Sequence, residues 1–166
     1  MSIRLELCFK EFLSQIGEDS KRLEKTPFLA ARAFEELTQG YALDPRAILE
    51  REKIACDYPG TLEIPSIALM SLCEHTFLPF LGTVNIGYKP KHHIAGAGVF
   101  KKLVEAYSQR LQLQEPLTAQ IADLIFCVLE PQWVQVDIQA RHCCMKGQEM
   151  RSQVILGQKY SAVRLY

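Results

Sequence analysis

The sequence predicts an α+β fold, in which N-terminal helices precede an antiparallel four-stranded sheet with two helices on one face. Residues 1–60 show helical spacing of apolar side chains, whereas residues 61–166 show the order strand, strand, helix, helix, strand, strand. A length of 166 residues suits one domain with one hydrophobic core. We therefore predict a single domain that comprises an N-terminal helical region, 1–60, and a core, 61–166.

The composition is that of an ordinary soluble protein and argues against several kinds of partner. Nineteen basic and nineteen acidic side chains cancel, so no broad surface for nucleic acid or an anionic membrane is expected. No apolar run approaches the ~18–20 residues that a membrane-spanning helix requires. Charged residues interrupt Met1–Phe12, which is predicted to be an amphipathic helix and not a signal peptide. We predict a cytoplasmic protein.

Three N-terminal helices are predicted from apolar spacing and from residues typical of helix ends. The first covers Ile3–Ile16. The second begins with Thr26 as its N-cap and stops at Gly40. The third begins at Asp44, which is followed by a proline, and runs to about Lys53.

The remaining elements follow from a change to alternating apolar spacing, interrupted by a return to helical spacing. In chain order they are strands at Leu62–Cys73 and Phe80–Tyr88, helices at Gly98–Arg110 and Pro116–Leu129, and strands at Val134–His142 and Ser152–Leu165. A sheet of this kind has two free edges, and unpaired strand edges favour pairing with other subunits. A homo-oligomer is therefore expected.

The six cysteines differ in their sequence surroundings. Without an export signal, free thiols or metal ligands are expected in preference to disulfides. Cys8 and Cys127 lie in apolar helical patterns and are predicted to be buried thiols without chemistry. Cys73, Cys143 and Cys144 each lie within two residues of a histidine, which makes them candidates for a functional site.

Two clusters carry the side chains that zinc prefers, Cys73-Glu74-His75 and His142-Cys143-Cys144. Each lies at the predicted end of a strand. A catalytic zinc uses three protein ligands and makes hydroxide available at neutral pH. The spacing is not that of a CxxC…CxxC site, so buried cysteines with hydrogen-bonded histidines are the alternative interpretation.

Gln114-Glu115-Pro116 lies where one predicted helix stops and the next begins. A carboxylate at that point can accept two parallel N–H donors from the edge of a guanine or pterin ring. The alternative is that Glu115 only interacts favourably with the dipole of its helix.

Several segments, in the same order, resemble those of the GTP cyclohydrolase I family. They are Lys25-Thr26-Pro27, Ala30–Gly40, Ser71–His75, Pro79–Gly82, Ile86–Pro90, Leu103–Ala122 and Ala140–Met145. The similarity extends over about Gly17 to Gly157. It implies the tunnelling fold (T-fold), in which four-stranded sheets from several subunits join into a barrel. It also implies pentameric rings or decamers with active sites at the subunit interfaces.

The resemblance further implies a reaction of tetrahydrofolate biosynthesis, in which zinc-bound hydroxide attacks C8 of GTP to give formate and dihydroneopterin triphosphate. Cys73 and Cys144 match the family's zinc ligands. His75 and His142 match the residues that move protons during ring opening. The carboxylate that holds the guanine edge falls on Glu115, with help from Gln114.

The chain departs from the family pattern at the metal. The family's Cys-Glu-His-His motif has Thr76 in place of its second histidine, the third zinc ligand, and a threonine hydroxyl is a poor ligand for zinc. Cys143, or His92 or His93 from a loop, would have to substitute. We therefore expect zinc to bind weakly or not at all.

The family's triphosphate clamp is altered as well. Leu29 and Gln148 stand at two of its arginine positions, and Lys102 stands at a third. Lys102, Lys146 and Arg151 remain as candidate phosphate-binding residues. Lysine does not reproduce the bidentate arginine–phosphate pair, so weaker binding of a triphosphate is expected.

Three hypotheses follow, and the sequence favours the first. It is a GTP cyclohydrolase I with a modified zinc site. The second is a diverged T-fold enzyme that acts on a pterin or deazaguanine without a triphosphate, with Cys73 as nucleophile or proton donor. The third is a paralogue that binds such a ring without turnover.

Overall fold

The structure is a computed structural model that describes residues 3–18 and 20–157 and the backbone of 164–165. Within this part of the chain, the N-terminal region is formed by helices Ile3–Gln15 (α1), Thr26–Thr38 (α2) and Pro45–Arg51 (α3). Short 3₁₀ turns at Lys21–Leu23 and Gln39–Ala42 lie on either side of α2. None of the helices in the described ranges combines the length and apolar character needed to cross a membrane.

The helix starts confirm one predicted cap and correct another. Asp44 caps α3, because its carboxylate accepts the backbone N–H groups of Arg46 at 2.9 Å and Ala47 at 3.1 Å. The predicted N-cap Thr26 is wrong, since Thr26 already belongs to α2 and Lys25 takes the capping position without a side-chain hydrogen bond.

Eight strands are present in the described residues and form two sheets. They are Lys53–Ala55 (β1), Leu62–Cys73 (β2), Pro79–Lys89 (β3), His93–Ala95 (β4), Leu111–Gln112 (β5), Trp133–His142 (β6), Gln148–Gly157 (β7) and Arg164–Leu165 (β8). β1 and β4 form a small sheet of their own. The larger sheet has the order β5-β2-β3-β6-β7-β8, so two very short strands extend the predicted set of four.

The last predicted strand, Ser152–Leu165, differs from the structure. β7 begins earlier, at Gln148, because the chain reverses directly after a 3₁₀ turn at Cys143–Met145. The reversal uses φ angles of 56° at Lys146 and 82° at the glycine that follows it. β7 ends at Gly157, and residues 158–163 of the predicted strand lie outside the described residues.

Two helices, Ala97–Ser108 (α4) and Gln114–Leu129 (α5), cover one face of the larger sheet, as predicted. α4 packs on β2, and α5 packs on β6 and β7. The layer between helices and sheet consists of fully buried apolar side chains, among them Phe80, Val84, Leu103, Ile121 and Ile125. Burying each such side chain contributes about 1.5–3 kcal/mol, so this layer fixes the helices on the sheet.

Two cysteines lie in a different environment from the one predicted. Cys8 and Cys127 are exposed, although their apolar neighbours suggested burial. Cys8 belongs to α1, a helix with no buried residue, and α1 packs on α2. Periodicity marks the apolar side of a helix but does not show how much of that side a neighbour covers.

Candidate active site

The ends of β2 and β6 bring the two cysteine–histidine clusters together. β3 pairs with both strands, so that Phe80 lies opposite Ser71 on one side and opposite His142 on the other. The turns after β2 and β6 therefore emerge at the same end of the sheet. There the side chains of Cys73, which is buried, and Cys144, which is half-buried, are hydrogen-bonded to each other.

Thr76 completes this thiol pair, because its hydroxyl interacts with both sulfur atoms. Burial raises the pKa of the Cys73 thiol, but hydrogen bonds from the backbone and side chains of the turn outweigh it and bring that pKa below its usual value. Burial and the neighbouring Cys73 sulfur raise the pKa of Cys144. Cys73 is therefore the thiol that ionises first.

The donor set does not fit a catalytic zinc. Such a site needs three protein ligands, whereas residues 3–18 and 20–157 contain no group of three histidine, cysteine, aspartate or glutamate side chains placed to hold a metal ion. Cys143 is exposed on its 3₁₀ turn. His93 belongs to the small sheet, and the neighbouring His92 lies 3.5 Å from Asp57. None of them replaces the ligand missing at Thr76.

The two site histidines lie in opposite environments. The His75 side chain is 68% exposed, with Nε2 at 3.8 Å from a Glu74 carboxylate oxygen. His142 is buried, and its ring stacks on Phe80 with centroids 4.5 Å apart and planes at 5°. Burial lowers the pKa of His142, and the charge of Glu115 opposes this in part. His142 is thus neutral at neutral pH.

The predicted base-binding pair divides into a buried and an exposed residue. Gln114 is 2% exposed, and its Oε1 lies 2.8 Å from His142 Nε2. Its Nε2 donates to Ser152 Oγ at 3.0 Å. Glu115 is exposed in the first turn of α5, close enough to affect His142. Of the two side chains, Glu115 is the one with free access to a ligand.

The structure separates the three candidate phosphate-binding residues. Lys146 is exposed in the turn just after Cys144, next to the thiol pair. Lys102 is exposed on α4, beside a cleft of about 350 Å³ near α3 that does not include the thiols. Arg151 is bound to Asp137 on the neighbouring strand β6, through Nε at 3.1 and 3.0 Å and through a second guanidinium nitrogen.

Sequence reasoning missed several residues that shape this site. Asp137 is the partner of Arg151, and Phe80 supports the ring of His142. Ser152 and Thr118 form hydrogen bonds behind Gln114. The sequence does contain a hint of two of them: Ser152 and Thr118 are polar residues at strand and helix positions that the apolar pattern assigns to the interior.

A solved structure shares the architecture of this chain. The apo form of the archaeosine synthase QueF-Like superimposes with a TM-score of 0.53 over 62% of this chain and 99% of that chain. Because the sequences are 21% identical, the likeness concerns the fold alone. It fits the class predicted from the sequence, an α+β subunit of the tunnelling-fold type.

The family follows from closer relatives. The family model for GTP cyclohydrolase I matches residues 5–161. GTP cyclohydrolase 1 of Porphyromonas gingivalis is 40% identical over 152 residues, covering 90% of this chain and 79% of that protein. GTP cyclohydrolase 1 of Helicobacter pylori is 39% identical over 151 residues, covering 90% and 84%. The chain belongs to the GTP cyclohydrolase I family, which confirms the resemblance in sequence.

Proposed function

We propose that the chain is a hydrolase that opens the imidazole ring of GTP and releases formate, with dihydroneopterin triphosphate as product. The observation that carries this proposal is the meeting of Glu115, His142 and the thiol pair at one end of the larger sheet. Membership of the GTP cyclohydrolase I family supports the choice of reaction.

The residues of the chain suit distinct tasks in this reaction. The exposed carboxylate of Glu115 accepts two N–H donors of the guanine edge. His142, kept neutral by its buried surroundings, accepts a proton from the attacking water. His75, which extends into solvent, is placed to exchange protons with the opened ring. Lys146 offers one positive charge to the phosphates.

We also propose that the chain works as a cytoplasmic homo-oligomer. In the described residues, β5 pairs only with Leu72 and Cys73, so the rest of the outer edge of β2 has no partner strand. Large apolar side chains near this end of the sheet are exposed, among them Phe77 at 54% and Leu81 at 46%. A partner strand along this edge would pair the free backbone groups, and packing of a partner subunit on this end of the sheet would cover the apolar side chains.

The test is incubation of the purified full chain with GTP, with and without added zinc. Released formate and, after oxidation, pterin fluorescence are both expected, and Cys73→Ala should abolish them. Formate and pterin that appear only with zinc would show that the metal completes its ligands from outside the described donor set. Absence of both products under either condition would contradict the proposal and favour a substrate without a triphosphate.

A further inference from the structure

Behind His142 lies a chain of buried polar groups to which the proposed reaction gives no task. Its members Gln114, Thr118 and Ser152 are 2%, 0% and 4% exposed. They come from α5 and β7, on the face of the sheet that is otherwise filled by apolar side chains. A buried polar group destabilises a protein unless its hydrogen bonds are satisfied, so the pairing within this chain can be worked out atom by atom.

The two hydroxyl groups can donate in only one direction. Thr118 Oγ1 lies 2.7 Å from the backbone carbonyl of Gln114, and a carbonyl oxygen only accepts, so Thr118 is the donor. Ser152 Oγ lies 2.6 Å from Thr118 Oγ1 and must therefore donate to it. With its own hydrogen used in this way, Ser152 Oγ accepts from Gln114 Nε2 at 3.0 Å.

Three acceptors fix the side-chain amide of Gln114 and, through it, the imidazole. The two hydrogens of Gln114 Nε2 are shared among Ser152 Oγ and the backbone carbonyls of Ile138 at 3.1 Å and Met150 at 3.3 Å. Its Oε1 therefore faces His142 Nε2 at 2.8 Å. Since an amide oxygen only accepts, the hydrogen lies on Nε2 of His142 and the lone pair on Nδ1.

We propose that Thr118 and Ser152 are positioning residues that hold His142 in the Nε2–H tautomer, so that Nδ1 is the atom that exchanges a proton with the substrate. The stacked Phe80 ring holds the imidazole plane, and the tautomer then decides which edge is basic. The use of that proton rests on the proposed hydrolase function, whereas the tautomer is a property of the free protein.

The test is ¹⁵N NMR of the full chain labelled at histidine, at a pH at which the imidazoles are neutral. His142→Gln assigns the signals among the four histidines. The native protein should show a protonated Nε2 and an unprotonated Nδ1. In Thr118→Val, which keeps the shape of the side chain, the two shifts should move toward each other as the tautomers mix. Thr118→Ser should restore the native pattern.

Ser152→Ala should also mix the two tautomers of His142, because it removes another hydroxyl of the same chain. Ser71→Ala is the matched control. Ser71 is also buried, but its hydroxyl donates elsewhere, to the Arg110 carbonyl at 3.3 Å. Native ¹⁵N shifts of His142 in both Thr118→Val and Ser152→Ala would overturn the proposal. So would equal changes in Ser71→Ala, because the effect would then reflect general loosening of the core.

Kinetics with GTP separate this inference from the proposed function. Thr118→Val should lower kcat about tenfold or more and leave KM within about twofold, as expected when a general base loses its alignment. A native protein without activity on GTP would count against the proposed function alone, and the ¹⁵N shifts would still decide the tautomer. An active Thr118→Val variant with native kcat would contradict the inference.

Discussion

Thr76 lies where the family motif has a histidine, and its hydroxyl interacts with the sulfur atoms of Cys73 and Cys144. Relative to the family motif, threonine lacks the imidazole that would ligate zinc, while the two thiols still lie next to each other. Because the thiols converge with no third donor among the described residues, one side chain separates this site from a complete set of ligands.

Thr76→His should therefore create a zinc site. After dialysis against zinc-containing buffer and removal of excess metal, the variant should retain about equimolar zinc, and the native protein much less. Metal analysis by mass spectrometry measures the difference. Adding Cys144→Ser to the variant is the control, and it should release the metal again. Equimolar zinc in the native protein would show that our assessment of the donor set is wrong.

Glu115→Gln should weaken the binding of guanine nucleotides about tenfold or more, because a hydrogen bond to a charged group contributes about 1.5–3 kcal/mol. Calorimetry or fluorescence titration with GTP measures the affinity. Asp123→Asn removes another exposed acid from α5 and should bind normally. Equal affinity of the native protein and Glu115→Gln would place the base elsewhere.

The sequence indicated candidate site residues but not their partners. Cys73 and Cys144 were expected to share a site because the family resemblance matches both to zinc ligands, and the structure places their side chains together. The pairing of Arg151 with Asp137 was not predicted, because it depends on the register between two strands. Register involves the whole hairpin and cannot be read from one residue type.

At the scale of elements, the close approach of β3 and β6 depends on Gly82. Gly82 lies opposite Ala140, and a Cβ at this position would overlap the Gln139 carbonyl and lie 2.6 Å from Ala140 Cα. The two strands could not keep their pairing with a larger residue here. The strand that carries His142 thus depends on a glycine in its neighbour.

Gly82→Ala should lower the free energy of unfolding by about 1–3 kcal/mol, the usual cost of overpacking. Gly98→Ala is the matched control, because a Cβ at Gly98, within α4, meets no atom within 4 Å. That control should stabilise the protein by about 0.4–1 kcal/mol. Urea denaturation of both variants measures the change, and similar values for the two would contradict the close-approach argument.

Long elements were predicted within a few residues, and short ones were missed. α5 and β3 carry enough residues to show their apolar period. β5 and β1, of two and three residues, carry too few. Their pairing follows from the elements that place them side by side, so local sequence gives no signal for it.

At the scale of the whole molecule, stability at alkaline pH depends on Tyr88. Tyr88 is fully buried under the helices, and burial raises its pKa, although the Ala95 N–H at 3.4 Å donates to its oxygen and opposes this in part. An unfolded tyrosine ionises near pH 10, below the pKa of the folded one. Ionisation therefore favours the unfolded state, and the stability present below pH 10 is lost as the pH rises through the folded pKa.

Tyr88→Phe should flatten this alkaline loss. The free energy of unfolding of the native protein should fall more steeply above about pH 10 than that of the variant. Chemical denaturation across this pH range measures both slopes. Tyr58→Phe, which changes a tyrosine that is 43% exposed, is the control and should keep the native slope. Equal slopes for all three proteins would exclude Tyr88 as the responsible group.

The order of strands in the larger sheet also determines at what stage of translation the candidate active site can form. β2 and β3 follow each other in the chain and can pair as a local hairpin once both have been made. β3 can pair with β6 only after α4 and α5, which lie between them in the chain, have also been made. Cys73 then meets Cys144 only after most of the chain has been synthesised. A nascent chain that stalls before β6 therefore exposes the edge of β3 and lacks the thiol pair, so it should aggregate more readily than the complete chain.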